Sequence, residues 1–444
     1  MSGGHAWTGV TVAAVIAGYA LVSRRLSTTP VSSPMVFVGC GILLGPAGLG
    51  LLDLAHDAGP VLTLVEAALT LVLFTDAMTI RRRDLRIGGF LPLRLLAIGL
   101  PLTVGAGWLL AWPLLPGLSA WELALLAAVL APTDAALGKD AVFNPRVPGV
   151  VRKGLNVESG LNDGLVLPFF VLFLAALPGT VTSQEGVHGV LWRTLVLSTV
   201  LGLAVGWAGG RLLDRSWASG WASRPWRQVF VPATAAVAYG LAAGTDGSGF
   251  IAAWVAGFAF ALGLRTRPGA EEATDDRTAE SAEFAEYLGG LLAALSFLVF
   301  GAVLLGPTLE HLTWRIAGYA VLSLTVVRMV PVALSLVRSG FRPRTVAYIG
   351  WFGPRGLASI VFGLLVVEEQ VEGVGLIGAV VAATVGLSVL LHGLSAVLLS
   401  DRYGAWYEAA AAAVPGLREA TAAPDEPGRG RVGHRGDGRS DPDV

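Results

Sequence analysis

The stretch NVESGLNDG, residues 156–164, lies inside an apolar segment that extends from residue 154 to residue 177. A helix of that length crosses the roughly 30 Å hydrocarbon core of a bilayer. A charged side chain at the centre of such a helix costs about 2.5–3.5 kcal/mol on insertion scales, so it requires a partner, water or a function. Because Glu158 and Asp163 both lie in this stretch, the segment predicts a membrane helix that carries a buried polar site.

The composition of the whole chain points to a membrane protein. Of the 444 residues, 54% are hydrophobic and 14% are charged, whereas a soluble chain has about 25% charged residues. Recurring apolar runs of membrane-spanning length predict an all-α, polytopic membrane protein. The net charge of -1 does not favour nucleic acid as a partner. Cys40 is the only cysteine, which excludes a disulfide framework and a Cys-based metal site.

Apolar runs bounded by charged residues, Pro or Gly predict thirteen spans. The first run has no basic residue before it and no small-residue cleavage pattern after it, so we interpret it as a span rather than a signal peptide. The spans lie near 7–23, 34–52, 60–80, 90–112, 119–138, 154–177, 188–211, 227–244, 249–264, 287–305, 312–338, 345–367 and 373–399.

The basic residues predict the orientation in the membrane. Lys and Arg cluster in the connections that follow odd-numbered spans and are nearly absent from those that follow even-numbered spans. Since cytoplasmic connections retain Lys and Arg, the N-terminus should lie outside and the C-terminus in the cytoplasm of a chain in the plasma membrane. Residues 1–403 are predicted to form the transmembrane domain, and residues 404–444 a cytoplasmic tail that is largely disordered.

Two predicted spans contain a proline near their middle. The string APTDA, residues 131–135, interrupts the fifth span, and GPRG, residues 353–356, interrupts the twelfth. Proline removes a backbone hydrogen bond, and broken backbone at membrane depth is tolerated only where it is buried in protein or lines a cavity. Each break carries a charge, Asp134 or Arg355, suited to neutralise exposed helix ends. The fifth and twelfth spans are an odd number of spans apart, so the two helices cross the membrane in opposite directions. This arrangement predicts inverted repeats with two crossed broken helices.

The helical period separates the two carboxylates of the sixth span. Ser159 and Asp163 lie one turn apart on one face, whereas Glu158 points about 140° away from Asp163. Asp163, with Ser159 and the amide of Asn162, offers oxygen ligands for Na⁺ or K⁺, and its carboxylate can take a proton when the cation leaves. We interpret Glu158 as half of a structural ion pair with Arg328 of the eleventh span, because buried charges persist only when they are paired.

Three further features of the spans have weaker interpretations. Asp76, near the predicted cytoplasmic end of the third span, either lines or coordinates the ion, or pairs with Arg81 or Arg82. Glu66 has no motif around it and is left unassigned. Small residues at four-residue spacing predict a close helix-packing face on the seventh span, formed by Gly202, Gly206 and Gly210.

The two break motifs, the string ESGLNDG at residues 158–164 and Arg328 resemble, in order and spacing, those of monovalent cation:proton antiporters of the sodium/hydrogen exchanger type. The resemblance covers roughly residues 10–400. It implies a homodimeric, thirteen-span antiporter in which a core bundle moves against a dimerisation bundle, with a role in pH homeostasis. It also implies that a cation or a proton binds at a site formed by Asp163, Asn162, Ser159, Asp134, Thr133 and Asp76. The ligands of the transported cation itself would be Asp163, Ser159 and Thr133.

Two details of the motif refine the resemblance. The doublet Asn162-Asp163 is typical of electroneutral members. Gly164 departs from the family pattern, in which Pro or Ala is frequent at this position, and we expect it to leave the helix more flexible there.

We therefore predict a secondary antiporter, not an enzyme. It should exchange a monovalent cation for a proton by alternating access, with the two ions competing for one carboxylate. We expect the cation to be Na⁺, and Li⁺ and K⁺ remain alternatives. Membrane lipid surrounds it, and no cofactor is expected beyond the transported cation and proton. The alternative is a sodium-coupled symporter of organic solutes, because crossed broken helices also serve such substrates. That alternative lacks an additional polar cluster near the breaks for a solute.

Overall fold

The computed structural model describes residues 2–26, 29–52, 58–80, 90–134, 137, 144–178, 189, 192–264, 271–369, 371–414 and 416–420, and every major element in these residues is helical. We number the helices in chain order: α1 (Ser2–Leu26), α2 (Ser33–Leu44), α3 (Ala58–Thr79), α4 (Phe90–Leu114), α5 (Ala120–Val129), α6 (Gly149–Ala175), α7 (Trp192–Ala218), α8 (Arg224–Ala243), α9 (Gly249–Leu264), α10 (Glu271–Val299, continued by Phe300–Leu305 and Gly306–Glu310), α11 (Trp314–Ser335), α12 (Pro343–Trp351), α13 (Leu357–Glu368) and α14 (Val374–Ala413).

The helices identify a multi-pass membrane protein. Within the described residues, eight helices are long and apolar enough to cross a membrane, and four shorter ones are also apolar. The predicted all-α, polytopic fold is confirmed. The number of thirteen crossings stays a prediction, because the shorter helices do not by themselves show that they cross.

The fifth and twelfth predicted spans are interrupted where their prolines predict. α5 ends at Val129, and residues 130–134 follow as non-helical backbone. In the other span, residues 352–356 separate α12 from α13 without helical structure. The amide of Asp134 donates a hydrogen bond of 2.8 Å to the carbonyl of Pro354. The two breaks therefore touch each other, as crossed broken helices require.

The core surrounds this crossing. Buried apolar side chains of α3, α5, α6, α13 and α14 form one continuous cluster. α5 enters the core through a capping box, in which the Ser119 hydroxyl accepts from the Glu122 amide and the Glu122 carboxylate accepts from the Ser119 amide. The same carboxylate accepts a 2.7 Å hydrogen bond from the amide of Gly373, which joins the start of α5 to the start of α14.

The glycine face of α7 packs directly on α9, as its spacing predicts. A Cβ atom added at Gly206 would overlap the carbonyl oxygen of Ala256. A Cβ atom at Gly202 would likewise overlap the carbonyl oxygen of Ala252, and one at Gly210 that of Phe260. Backbone thus meets backbone along this helix pair, which is the arrangement that small residues permit between membrane helices.

The C-terminal part of the described chain folds back on the protein. α14 continues to Ala413, ten residues beyond the predicted end of the transmembrane domain. Gly416 then turns the chain with φ +80°, and Leu417 and Glu419 are buried. The rest of the tail that we predict to be disordered, residues 421–444, lies outside the described residues.

The contact between α7 and α9 predicts a difference between two glycines. Gly206→Ala should destabilise the protein by about 1–3 kcal/mol, because the added methyl forces two closely packed backbones apart. Gly240→Ala in α8 is the matched control, since a Cβ atom there meets nothing within 4 Å. Thermal unfolding in detergent measures both, and equal stability of the two variants would contradict the packing argument.

Candidate functional site

α6 carries the central polar residues of the site. Asp163 and Asn162 are buried, with 7% and 1% of their surface exposed. The Oδ1 atoms of both side chains are buried and accept no hydrogen bond from any described residue. A buried oxygen without a donor carries a desolvation cost of about 1–3 kcal/mol, more when it is charged. Two such oxygens on adjacent residues are suited to bind a cation or a proton.

Two hydrogen bonds hold α6 against the first break. The Ser159 hydroxyl donates to the backbone carbonyl of Thr133 at 2.8 Å, and the Asn162 amide group donates to the Thr133 hydroxyl at 2.6 Å. The structure thus brings Ser159, Asn162 and Thr133 together beside Asp163. A hydroxyl that donates its hydrogen still has lone pairs that can face a cation, so these bonds fix the position of the oxygens without removing them as ligands.

Arg355 neutralises the carbonyl end of the opposite broken segment. Its guanidinium is completely buried and donates to the carbonyls of Ala131 at 2.6 Å and Pro132 at 3.0 Å. These carbonyls follow the end of α5, where the helix dipole is negative. A charge from the second break therefore stabilises the polar backbone of the first.

Asp134 makes the reciprocal contact. Its Oδ2 atom accepts a hydrogen bond of 3.1 Å from the amide of Leu357, the first residue of α13, where the helix dipole is positive. A Cβ atom at Gly356 would overlap this carboxylate, so glycine allows the approach. Asp134, which we predicted as a site residue, thus contacts the start of α13 from the edge of the site.

Asp76 lies on α3 beside α6. A Cβ atom at Gly160 would be 3.3 Å from the Cβ of Asp76, which places this carboxylate about one turn from Asp163. Asp163 interacts electrostatically with Asp76 and Asp134, so the charge on any one of these three acids affects the other two. The alternative partners of Asp76, Arg81 and Arg82, lie outside the described residues.

Glu158 and Arg328 form a bidentate ion pair on the other side of α6. The guanidinium donates to the two carboxylate oxygens at 2.6 Å and 2.8 Å, and both side chains are 3% exposed. A Cβ atom at Gly353 would overlap the guanidinium of Arg328. The pair thus joins α6 to α11 beside the second break, and the glycine of that break provides the space.

Gly164 has a steric role that its sequence position does not reveal. A Cβ atom there would overlap the indole ring of Trp254 on α9. Glycine at this position thus admits a large aromatic ring next to Asp163, while the flexibility that we predict for α6 here stays a prediction. The indole Nε1 is also buried and donates to no described residue.

Ser388 and His392 on α14 were not assigned from the sequence. The Ser388 hydroxyl accepts a 2.7 Å hydrogen bond from the amide of Arg355, and Nε2 of the fully buried His392 lies 2.9 Å from the carbonyl of Trp351, the last residue of α12. The only available sequence signal was that these polar residues are four apart in an apolar span.

An acid-lined cavity of about 370 Å³ reaches α6 from one end of the fold. Glu66, which has no motif around it in the sequence, lines the cavity together with Tyr239. Leu167, one turn beyond Asp163 on α6, lies at its wall. The other carboxylates of the lining belong to Asp246, Glu368 and Glu369.

Comparison with known proteins identifies the family of this chain. The family model described as the transmembrane sodium/hydrogen exchanger matches residues 11–401. The chain belongs to the sodium/hydrogen exchanger family.

Relatives of this exchanger-family chain carry antiporter names. The K⁺/H⁺ antiporter NhaP of Alkalimonas amylolytica is 27% identical over 360 residues, which are 78% of this chain and 57% of the relative. The Na⁺/H⁺ antiporter 2 of Zygosaccharomyces rouxii is 28% identical over 293 residues, 60% of this chain and 34% of the relative. The exchanger-family chain thus spans between about a third and three fifths of the length of these relatives.

A solved structure shares the fold. The sodium proton antiporter MjNhaP1 from Methanocaldococcus jannaschii, solved at pH 8, superimposes with a TM-score of 0.71 and 19% sequence identity. The match covers 90% of this chain and 98% of that chain. The exchanger family and the observed fold therefore agree over nearly the whole membrane domain.

The ion pair of this exchanger-family chain predicts a non-additive pair of substitutions. Glu158→Leu or Arg328→Met alone leaves the other charge buried without its partner, which should cost about 3–5 kcal/mol. The double variant has no unpaired charge and should lose less stability than the sum of the two. Thermal unfolding measures all three, with Asp401→Asn as a control that removes an exposed contact with Arg146. An additive double variant would show that the two charges do not stabilise each other.

Proposed function

We propose that this chain exchanges a monovalent cation for a proton across the membrane and that Asp163 binds either one. The observation that carries the proposal is the pair of buried Oδ1 atoms on Asp163 and Asn162, which accept no hydrogen bond from any described residue. Glu158 is paired with Arg328 and Asp134 contacts the start of α13. Asp163 is thus the acid at the crossing that offers a buried oxygen to a transported ion.

Competition for one carboxylate couples the two flows. A cation requires the negative form of Asp163, and a proton neutralises it, so the two occupy the site in turn. One carboxylate binds one positive charge, either a monovalent cation or a proton. We therefore expect an electroneutral exchange of one cation for one proton. Asn162, Ser159 and Thr133 would complete the oxygen ligands, while Asp76 and Asp134 make the surroundings negative and attract cations. No enzymatic step and no cofactor enter this proposal.

We propose Na⁺ as the transported monovalent cation, with K⁺ and Li⁺ as the other candidates. The family description names sodium, and the relatives include both a K⁺/H⁺ and a Na⁺/H⁺ antiporter. Symport of sodium with an organic solute finds no support in these relatives.

The acid-lined cavity is proposed as the outer half of the ion path. Its lining comes from segments that the charge distribution places toward the outside, and it ends one turn from Asp163 at Leu167. Carboxylates around a cavity raise the local concentration of cations. Alternating access would then connect Asp163 to this cavity in one state and to the cytoplasm in the other.

The setting of the exchanger is part of the proposal. The Lys and Arg distribution supports a plasma-membrane protein with its N-terminus outside and its C-terminus in the cytoplasm. The family resemblance supports a homodimer surrounded by lipid, with a role in pH homeostasis.

The proposal predicts that Asp163→Asn abolishes exchange while the protein stays folded. The amide can neither take up a proton nor offer a negative charge to the cation. The measurement is the pH change inside vesicles when Na⁺, K⁺ or Li⁺ is added outside, without ATP or an organic solute. Asp214→Asn is the matched control, because Asp214 pairs with Arg277 at 3.6 Å outside the site. Exchange that persists in the Asp163 variant would refute the assignment.

A further inference from the structure

α12, the first half of the second broken span, begins at a residue that cannot cap it. Arg342 occupies the N-cap position, and its side chain makes no capping hydrogen bond. Ser, Thr, Asp and Asn are the usual N-cap residues, because their side-chain oxygens accept from the open amides of the first turn. α5, the first half of the other broken span, has a capping box in its own sequence. The side chain at the N-cap of α12 therefore leaves the amides at this helix end to other partners.

Glu419, 77 residues away, accepts from the amide of the N-cap residue itself, which is the bond that the glutamate of a capping box makes. Its Oε1 atom accepts hydrogen bonds from the Arg342 amide at 2.9 Å and from the Thr345 hydroxyl at 2.7 Å. The side chain is buried, with 1% of its surface exposed. A carboxylate at this end of α12 also interacts favourably with the helix dipole.

The segment that contains Glu419 turns back and packs against the rest of the protein. Gly416 turns the chain with φ +80°, a conformation that glycine adopts without strain, and Leu417 anchors the segment in the interior. The short helical turn Arg418–Ala420 contacts α6, the helix that carries Asp163. We call residues 416–420 the C-terminal latch.

A row of hydrogen bonds extends from the latch along α12 to the break. It joins α12 to α14 at successive turns and ends at Ser388, which accepts from the amide of Arg355. Its members are Tyr403 with Thr345 at 3.0 Å, Tyr348 with Ser400 at 2.9 Å, Trp351 with Ser395 at 2.9 Å and His392 with the carbonyl of Trp351 at 2.9 Å.

We propose that Glu419 is a positioning residue for transport, which acts through α12. The latch caps α12 at its cytoplasmic end, and the row of hydrogen bonds carries this constraint to the break where Arg355 meets the carbonyls of the first broken span. Loss of the cap loosens α12 and displaces Arg355 from its partners. The proposal rests on the exchange activity proposed above for its transport readout, whereas its structural readout is independent of that activity.

The first experiment measures amide hydrogen exchange in full-length protein in detergent. Glu419→Ala should raise the deuterium uptake rate of residues 343–351 about fivefold, the fold-change that matches the loss of a typical N-cap. Glu408→Ala is the matched control, because Glu408 is an exposed glutamate on α14. Gly416→Ala should act in the same direction with a smaller effect, since it strains the turn and keeps the carboxylate. Unchanged uptake in Glu419→Ala would overturn the cap.

The second experiment supplies the missing cap locally. Arg342→Asp places an N-cap residue at the start of α12, and in the Glu419→Ala background it should restore the protection of residues 343–351. A purely space-filling role of Glu419 predicts no rescue, so failure of the rescue would overturn the proposal.

The third readout is cation-driven proton movement in vesicles. Glu419→Ala should lower the maximal rate roughly threefold or more with little change in the cation concentration at half-maximal rate, and Arg342→Asp should restore the rate. An unchanged rate beside raised deuterium uptake would overturn the positioning role. A wild-type protein without exchange would instead refute the proposed function, while the deuterium measurement would still test the cap.

Discussion

Backbone that stops being helical inside a membrane must find partners within the protein, and the rest of this structure depends on how it does so. Unpaired carbonyls and amides in hydrocarbon cost several kcal/mol each. Here the two broken spans satisfy one another: Arg355 binds the carbonyls beyond α5, and Asp134 binds the first amide of α13. These reciprocal contacts stabilise the crossing of the two broken spans and allow polar residues to lie beside α6.

The buried charges of the core therefore have different roles. Arg328 and Glu158 neutralise each other in a bidentate pair, and Arg355 and Asp134 each stabilise the end of a broken span. Asp163 then differs from its neighbours, since its buried Oδ1 accepts no hydrogen bond from any described residue. A transported ion must bind and leave, so its site needs ligands that the protein does not already satisfy.

Much of this arrangement could be predicted from the sequence, because charge and proline at membrane depth are costly and therefore informative. The two breaks and the pairing of Glu158 with Arg328 follow from that cost. Which helix end each charge would neutralise could not be predicted, since that depends on how the spans cross. The steric role of Gly164 could not be predicted because its neighbour Trp254 is distant in sequence. The buried contact of Glu419 was missed because its partner Arg342 lies 77 residues earlier in the chain.

The most direct test of the account is proton release on cation binding. Purified protein in a weakly buffered solution with a pH indicator receives Na⁺ or K⁺ at a pH where Asp163 holds its proton. If one carboxylate binds either ion, each cation bound should release about one proton per protomer, and Asp163→Asn should release none. Cation binding without proton release in the wild-type protein would contradict competition at Asp163.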